Sequence, residues 1–326
     1  MLAYELKKKN IDYFICTDQQ HSLKNTSSLS YGHCRLTNDL SEIVRRSVSQ
    51  LGEDRNKMEK IYSQTSLVSK TFEELNIEFE ERSFGIIPVK QRGGRTILEN
   101  IQKHIPSIFV ETELIDFSKT SKGYDIFLKK DDCINKINSK YLVLATGGYS
   151  GTFKNTDNMR YNNYNVFDMV KKNEGQIINE NCIFLHPFGY AGGTKILIGK
   201  EAKNGEFLDK KRNFVFNEKT RNMIKDDNYH EIFDQLIKQA DKCRTEGSSV
   251  YFVNSERKEE ILPCVHYTSG GIKTDDLGRA IGCKNLFAIG ECQSNGSKNN
   301  GRFPGYPFTS AIVYGAELSN FFKDLN

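Results

Sequence analysis

Tyr141-Leu142-Val143-Leu144-Ala145-Thr146-Gly147-Gly148-Tyr149-Ser150-Gly151 is the stretch on which the fold turns. Its apolar residues run without alternation, as in a strand buried on both faces, and the small residues that follow let backbone approach a ligand at the carboxyl end of a parallel strand. Asn285-Leu286-Phe287-Ala288-Ile289-Gly290-Glu291, far down the chain, repeats the pattern: a buried strand that empties into glycine and then an acid. Two such strands predict an α/β fold with layers packed around a parallel sheet. Working outward, Leu2 to Lys9 reads as the end of an amphipathic helix, and Asp12 to Thr17 reads as a short apolar strand feeding the sheet. Leu40, Ile43, Val44, Val48 and Leu51 keep helical spacing, as does the stretch from Met58 to Leu75. Gly93, Gly94 and Arg95 open a helix that Pro106 closes, with short runs at Ile108 to Thr112, Tyr124 to Lys129 and Lys140 to Ala145 behind it. From Asn181 to about Ile261 the chain is richer in Lys, Asn, Asp and Glu, with a helical pattern over Tyr229 to Ala240, which predicts a separate small lid. A last helix is expected from Phe308 to Phe322.

Bulk properties narrow the function. The 326 residues are 37% hydrophobic and 27% charged, as expected of a folded globular chain, and a net charge of +4 spread along the sequence predicts no nucleic-acid partner. The apolar runs fall far short of the roughly 20 residues that span a bilayer, and Met1 to Asn10 lacks the apolar block of a secretory signal. The expectation is therefore a cytoplasmic protein with no membrane segment. Cys16, Cys34, Cys133, Cys182, Cys243, Cys264, Cys283 and Cys292 contain no C-x-x-C pair, so reduced thiols and no metal are expected.

The most specific motif is His266-Tyr267-Thr268-Ser269-Gly270-Gly271-Ile272, followed by Thr274-Asp275-Asp276-Leu277-Gly278-Arg279. Asn300-Gly301-Arg302-Phe303-Pro304-Gly305, running on to Tyr314-Gly315, and the upstream Phe184-Leu185-His186-Pro187 complete the set. With the two glycine-ended strands, these segments resemble, in order, those of the FAD-dependent oxidoreductase family that contains L-aspartate oxidase and the succinate dehydrogenase and fumarate reductase flavoproteins. The resemblance covers roughly Leu2 to Leu318 and is nearest to the aspartate oxidase branch.

It implies a Rossmann-like FAD-binding domain of glutathione-reductase type, formed by residues 1–188 and 262–326, with a reduced α+β lid at 189–261. It also implies that His186, His266 and Arg302 grip the carboxylates of a four-carbon diacid. The chemistry suits them: a guanidinium offers carboxylate a planar fork, and a histidine adds a donor whose charge a bound anion can raise. His21, His33, His104 and His230 read as ordinary core or surface residues. For the cofactor, the resemblance points to Thr17, to Asn25, Thr26, Ser27, Ser28 and Gly32 of one loop, and to Ala145, Thr146, Gly147 and Gly148. It further points to Gly290 and Glu291, with Glu291 by the ribityl chain, and to Gly305 and Phe308. Asn25 stands where succinate dehydrogenases place a histidine bonded to the flavin, which implies non-covalent FAD.

Four features depart from the family. The chain begins within what would be the helix after the G-x-G-x-x-G phosphate turn, so either an upstream start, or weak or no FAD binding, is expected. In the lid, Ile198 to Glu206 offers Lys203 or Asn204 where the family has its proton-shuttling arginine, and an ammonium lacks the planar fork. Pro307 removes an amide beside the flavin. The glycine-rich motif expected near Asn162 to Asp168 is missing, and the helical domain of longer members does not follow. The resemblance implies an L-aspartate oxidase-like conversion of L-aspartate to iminoaspartate for NAD biosynthesis, with oxygen or fumarate as acceptor. Two alternatives stand beside it. One is a fumarate reductase or succinate dehydrogenase-like enzyme, which without iron-sulfur motifs draws on a partner subunit or a soluble donor for electrons. The other is a non-catalytic paralogue acting as a binding subunit.

Overall fold

The computed structural model describes residues 1–82, 85–90, 92–159, 164–193, 195–197, 199–226, 232–298 and 301–325. Ile198, Tyr229, His230, Asn300 and Asn162, all named above, lie outside them. The chain divides into two compact units, Met1–Gly148 with Asn163–Cys182 and Ser269–Asn326, and Tyr149–Asn162 with Ile183–Thr268.

In the first unit the two glycine-ended strands are neighbours. Leu142–Leu144 pairs in parallel with Leu286–Ala288, Leu142 opposite Leu286 and Leu144 opposite Ala288. Leu286, Phe287 and Ala288 are all but inaccessible, as their unalternated apolar pattern requires. The helix Leu2–Lys8 and the long C-terminal helix Tyr306–Lys323 bury Leu2, Leu6, Leu318 and Phe322 around Phe287. The run Asp12 to Thr17 forms no strand. It makes one parallel bridge, Cys16 to Phe109, in which the Thr17 amide donates to the Phe109 carbonyl at 2.9 Å. The runs Asp12 to Thr17 and Ile108 to Thr112 do meet, but over too few residues to extend a ladder. The remaining ladders of this unit are antiparallel, the largest being Glu113–Lys119, Tyr124–Lys130 and Cys133–Ser139. The pattern from Leu40 to Leu51 is an α-helix, Leu40–Arg46, that loosens into a π-turn, Ser47–Leu51, and stops at Gly52 in the left-handed conformation. The stretch from Met58 to Leu75 lies in two helices, Arg55–Ser63 and Ser66–Glu74.

The second unit is a four-stranded antiparallel sheet in the order Glu206–Leu208, Val250–Val253, Lys258–Thr268, Ile183–Tyr190. Helices Glu218–Lys225 and Phe233–Thr245 contribute Ile224, Leu236 and Ala240 to a core built on Phe188, Phe207, Phe216 and Phe252. Its limits differ from a lid at 189–261, because Lys258–Thr268 and Ile183–Tyr190 pair along nearly their whole length. The hydrogen bonds carry residues 183–188 and 262–268 into the smaller unit. Among the described residues no helix is long and apolar enough to cross a membrane.

Candidate functional site

Two of the expected substrate residues meet in the second unit. Pairing of Lys258–Thr268 with Ile183–Tyr190 sets Cys264 opposite His186, Val265 opposite Leu185 and Tyr267 opposite Phe184. His266 is the extra residue of this irregular ladder, and a bulge of that kind re-aims a side chain. A second register shift falls beside Pro187 and Pro263, neither of which can donate to the ladder. The His186 and His266 rings come within 5.7 Å, centroid to centroid. Phe233 lies edge-on to His186 at 5.0 Å, Phe184 edge-on to His266 at 5.7 Å, and the two phenyl rings stack at 5.7 Å. His186 is buried, and its Nδ1 accepts the Phe188 amide at 3.2 Å, so the neutral ring carries its proton on Nε2. His266 keeps 24% of its side chain exposed, and its Nδ1 lies 2.5 Å from Asp157 Oδ2. Asp157 had no place in the sequence reading. Lys203 is exposed in the turn between the helix Gly199–Ala202 and the strand Glu206–Leu208.

Arg302 belongs to the first unit, on a segment tied down by buried polar residues. Ser269 Oγ donates to the Gly301 carbonyl at 3.2 Å, Asn295 Nδ2 to Glu53 Oε1 at 2.7 Å, and Asn179 Nδ2 to the Ser297 carbonyl at 2.7 Å. The Lys57 ammonium, also buried, reaches Thr274 Oγ1 at 2.8 Å and the Ser294 carbonyl at 3.1 Å. Burial pushes the Glu53 carboxyl up to about 8 and the Lys57 ammonium down to about 8. The guanidinium groups of Arg35 and Arg46 each lie 5.3 Å from the centre of the Phe303 ring, and Arg35 Nε donates to the Pro304 carbonyl at 3.0 Å. Sequence reasoning missed Glu53 and Lys57. Gly52-Glu53-Asp54, directly after the π-turn, reads as solvated loop, and only the fold shows that Glu53 is buried.

The expected cofactor residues all fall in the first unit. Ala145, Thr146, Gly147 and Gly148 leave the Leu142–Leu144 strand, and Gly290 and Glu291 leave its parallel neighbour, with the Ile289 amide donating to the Leu144 carbonyl at 3.0 Å. Gly147 and Gly290 are left-handed, at φ 76° and 73°, and a methyl group at Gly290 would stand in open space. Two adjacent parallel strands thus end in bare, positively curved backbone, a cradle of the kind that takes a nucleotide cofactor. Asn25 caps the short helix Thr26–Leu29, its side chain accepting the Ser28 amide at 3.0 Å. Gly32, at φ 72°, presses against the backbone of Gly93, where a Cβ would come within 2.6 Å. Thr17 sits in the single bridge described above. Gly305 caps the C-terminal helix, and the Phe308 side chain packs against the cluster that contains Cys34, Phe72 and Ile312.

The architecture is that of solved FAD-dependent flavoproteins. Residues 206–306 match the FAD binding domain family, which indicates FAD as the cofactor. The chain is 27% identical over 253 residues to L-aspartate oxidase of Clostridium acetobutylicum, covering 69% of this chain and 55% of that protein. It is 23% identical over 244 residues to the succinate dehydrogenase flavoprotein subunit of Bacillus subtilis, covering 63% and 41%. An E. coli quinol fumarate reductase FrdA variant superimposes with a TM-score of 0.81 at 13% identity, over 99% of this chain and 68% of that one. The resemblance read in the motifs is thus borne out: this chain is similar to the aspartate oxidase, succinate dehydrogenase and fumarate reductase flavoproteins. It spans about half the length of the curated relatives it matches.

Proposed function

We propose that this chain is an FAD-dependent oxidoreductase that acts on a four-carbon dicarboxylate or amino-dicarboxylate, with an L-aspartate oxidase-like reaction favoured. The observation that carries the reading is the His186–His266 pair, two imidazoles 5.7 Å apart on paired strands and backed by stacked phenyl rings. Such a pair can donate hydrogen bonds to carboxylate from a partly desolvated setting, where charge-assisted bonds are strongest. Arg302 is assigned the other carboxylate, through the bidentate fork that only arginine presents.

FAD, when bound, supplies the acceptor for a hydride from the substrate carbon. In this reading Thr146, Gly147, Gly148, Gly290 and Glu291 hold it at the strand ends, and Thr17, Asn25, Thr26, Ser27, Ser28, Gly32, Gly305 and the backbone at Phe308 surround it in a Rossmann-like domain. Binding is non-covalent, since Asn25 offers no nucleophilic ring nitrogen. The residues of this chain bind and orient the diacid, and Lys203 is the group proposed to move a proton where relatives use arginine. Oxygen or fumarate is the proposed acceptor, and iminoaspartate for NAD biosynthesis the proposed product.

An absorbance spectrum of the purified chain after incubation with FAD, followed by anaerobic L-aspartate and then succinate, tests this. A flavin band that bleaches with L-aspartate supports the oxidase, and bleaching with succinate alone moves the assignment to the succinate dehydrogenase type. A chain that cannot take up FAD leaves the reading of a non-catalytic binding subunit.

A further inference from the structure

His266 is held by a segment that the motifs did not mark. Asn155, Thr156, Asp157 and Asn158 lie alongside the strand Lys258–Thr268 through a dense set of contacts. The Val265 amide donates to the Asn155 carbonyl at 2.9 Å, and the Asn155 side chain donates to the Pro263 carbonyl. Thr156 Oγ1 donates to the Val265 carbonyl at 2.8 Å, and Asn158 Nδ2 donates to the His266 carbonyl at 3.0 Å. Thr156 is fully buried and Asn158 nearly so. Four consecutive polar side chains are thus spent on fastening one short segment to the strand that carries His266. The result of that docking is the 2.5 Å contact between Asp157 Oδ2 and His266 Nδ1.

We propose that Asp157 is a positioning residue for His266: its carboxylate keeps the proton on Nδ1 and so fixes Nε2 as the edge with which the ring addresses an anionic substrate. The reasoning follows from what each atom can do. A carboxylate accepts and does not donate, so Nδ1 must carry hydrogen, and the neutral ring adopts the tautomer that is the minor one in water. An acid behind an imidazole orients the ring in the same way in other sites. The other oxygen, Oδ1, accepts from Asn158 Nδ2 at 3.0 Å, which fixes the rotation of the carboxylate. Among the described residues, the titratable groups around His266 include Asp157, His186 from the paired strand, and Cys264 on its own strand, whose thiol burial pushes far up. Phe233 is what the helix Phe233–Thr245 contributes to this ring cluster.

The substrate part of this inference rests on the proposed function; the tautomer part does not, and one experiment separates them. Side-chain nitrogen NMR of the full chain, with and without succinate, reads each imidazole directly and needs no flavin turnover. Wild type is expected to show His266 with its proton on Nδ1. In D157N the new amide oxygen inherits the bond from Asn158, turning its NH2 group toward the ring, so His266 must carry its proton on Nε2. In D157A the ring should show the mixture typical of water. His186, held by the Phe188 amide, should not change in either variant, which reports that the fold is intact. Succinate affinity is expected to fall about tenfold or more in D157N. A His266 ring that keeps Nδ1–H in D157N with His186 unchanged overturns the proposal. If the tautomer flips while wild type shows no response to succinate, Asp157 retains its positioning role and the dicarboxylate reading falls.

Discussion

Gly290 and Gly305 have nearly the same left-handed backbone, φ 73° and 82°, and opposite surroundings. Around Gly290 a Cβ would find nothing within 4 Å, whereas at Gly305 it would come within 2.6 Å of the Arg35 amide nitrogen. Both substitutions to alanine carry the backbone cost of about 1–2 kcal/mol for a left-handed L-residue. Gly305→Ala adds a clash and should lower the melting temperature clearly more than Gly290→Ala. Gly290→Ala should instead reduce FAD uptake at least about tenfold while the apo-protein stays folded, as flavin titration and a thermal melt of the same sample will show. Arg302→Ala should weaken succinate binding by about 2–5 kcal/mol, the scale for removing one partner of a desolvated charge pair, with FAD uptake retained.

At the scale of elements, the π-turn Ser47–Leu51 and the helix Arg55–Ser63 place two ionisable groups in the interior, Glu53 and Lys57, and both bond to the segment preceding Arg302. Their titration gives a signed prediction. Glu53 holds its proton up to about pH 8 when folded and, from an ordinary value of 4.5, loses it far earlier when unfolded. Between these limits the folded state binds more protons, so stability falls as pH rises. Lys57, lowered from 10.5 to about 8, is the reverse: from about pH 8 to 10.5 the unfolded state binds more protons, so this group's contribution rises with pH. Chemical denaturation of wild type should therefore show a decline, on the order of a few kcal/mol, from pH 4.5 to 8. Glu53→Gln should flatten it, and an unchanged slope in that variant would assign the decline to other groups.

At the scale of the whole molecule, the parts legible in sequence are those whose signal is local. The C-terminal helix, expected from Phe308, starts at Tyr306 because Gly305 and Pro307 form its first turn. The strand Leu286–Ala288 was legible because burial on both faces leaves no alternative to a continuous apolar run. Asp157 was not, since Asn-Thr-Asp-Asn has the composition of any surface turn and acquires its partner only by docking on a strand more than a hundred residues later. The second unit was legible at one edge only: composition changes at Asn181, close to where strand pairing starts at Ile183, whereas the strand Lys258–Thr268 runs on past Ile261, where the composition signal ends. Each unit has its own aromatic or aliphatic core, which yields a regional prediction. Phe252→Ala, at a fully buried site, should cost about 3–5 kcal/mol. Hydrogen exchange should place the loss of protection in the strands Val250–Val253 and Lys258–Thr268, and uniform loss along the chain would argue against separate cores.

The packing of Leu2 and Leu6 against Leu318 and Phe322 also bears on how the molecule is made. On the ribosome, the helix Leu2–Lys8 leaves the exit tunnel long before the helix that covers it has been translated, and the strand Leu142–Leu144 likewise waits for Leu286–Ala288. The apolar faces of the first unit are thus synthesised well before the segments that cover them, while the second unit, made in between, has its own core to fold around.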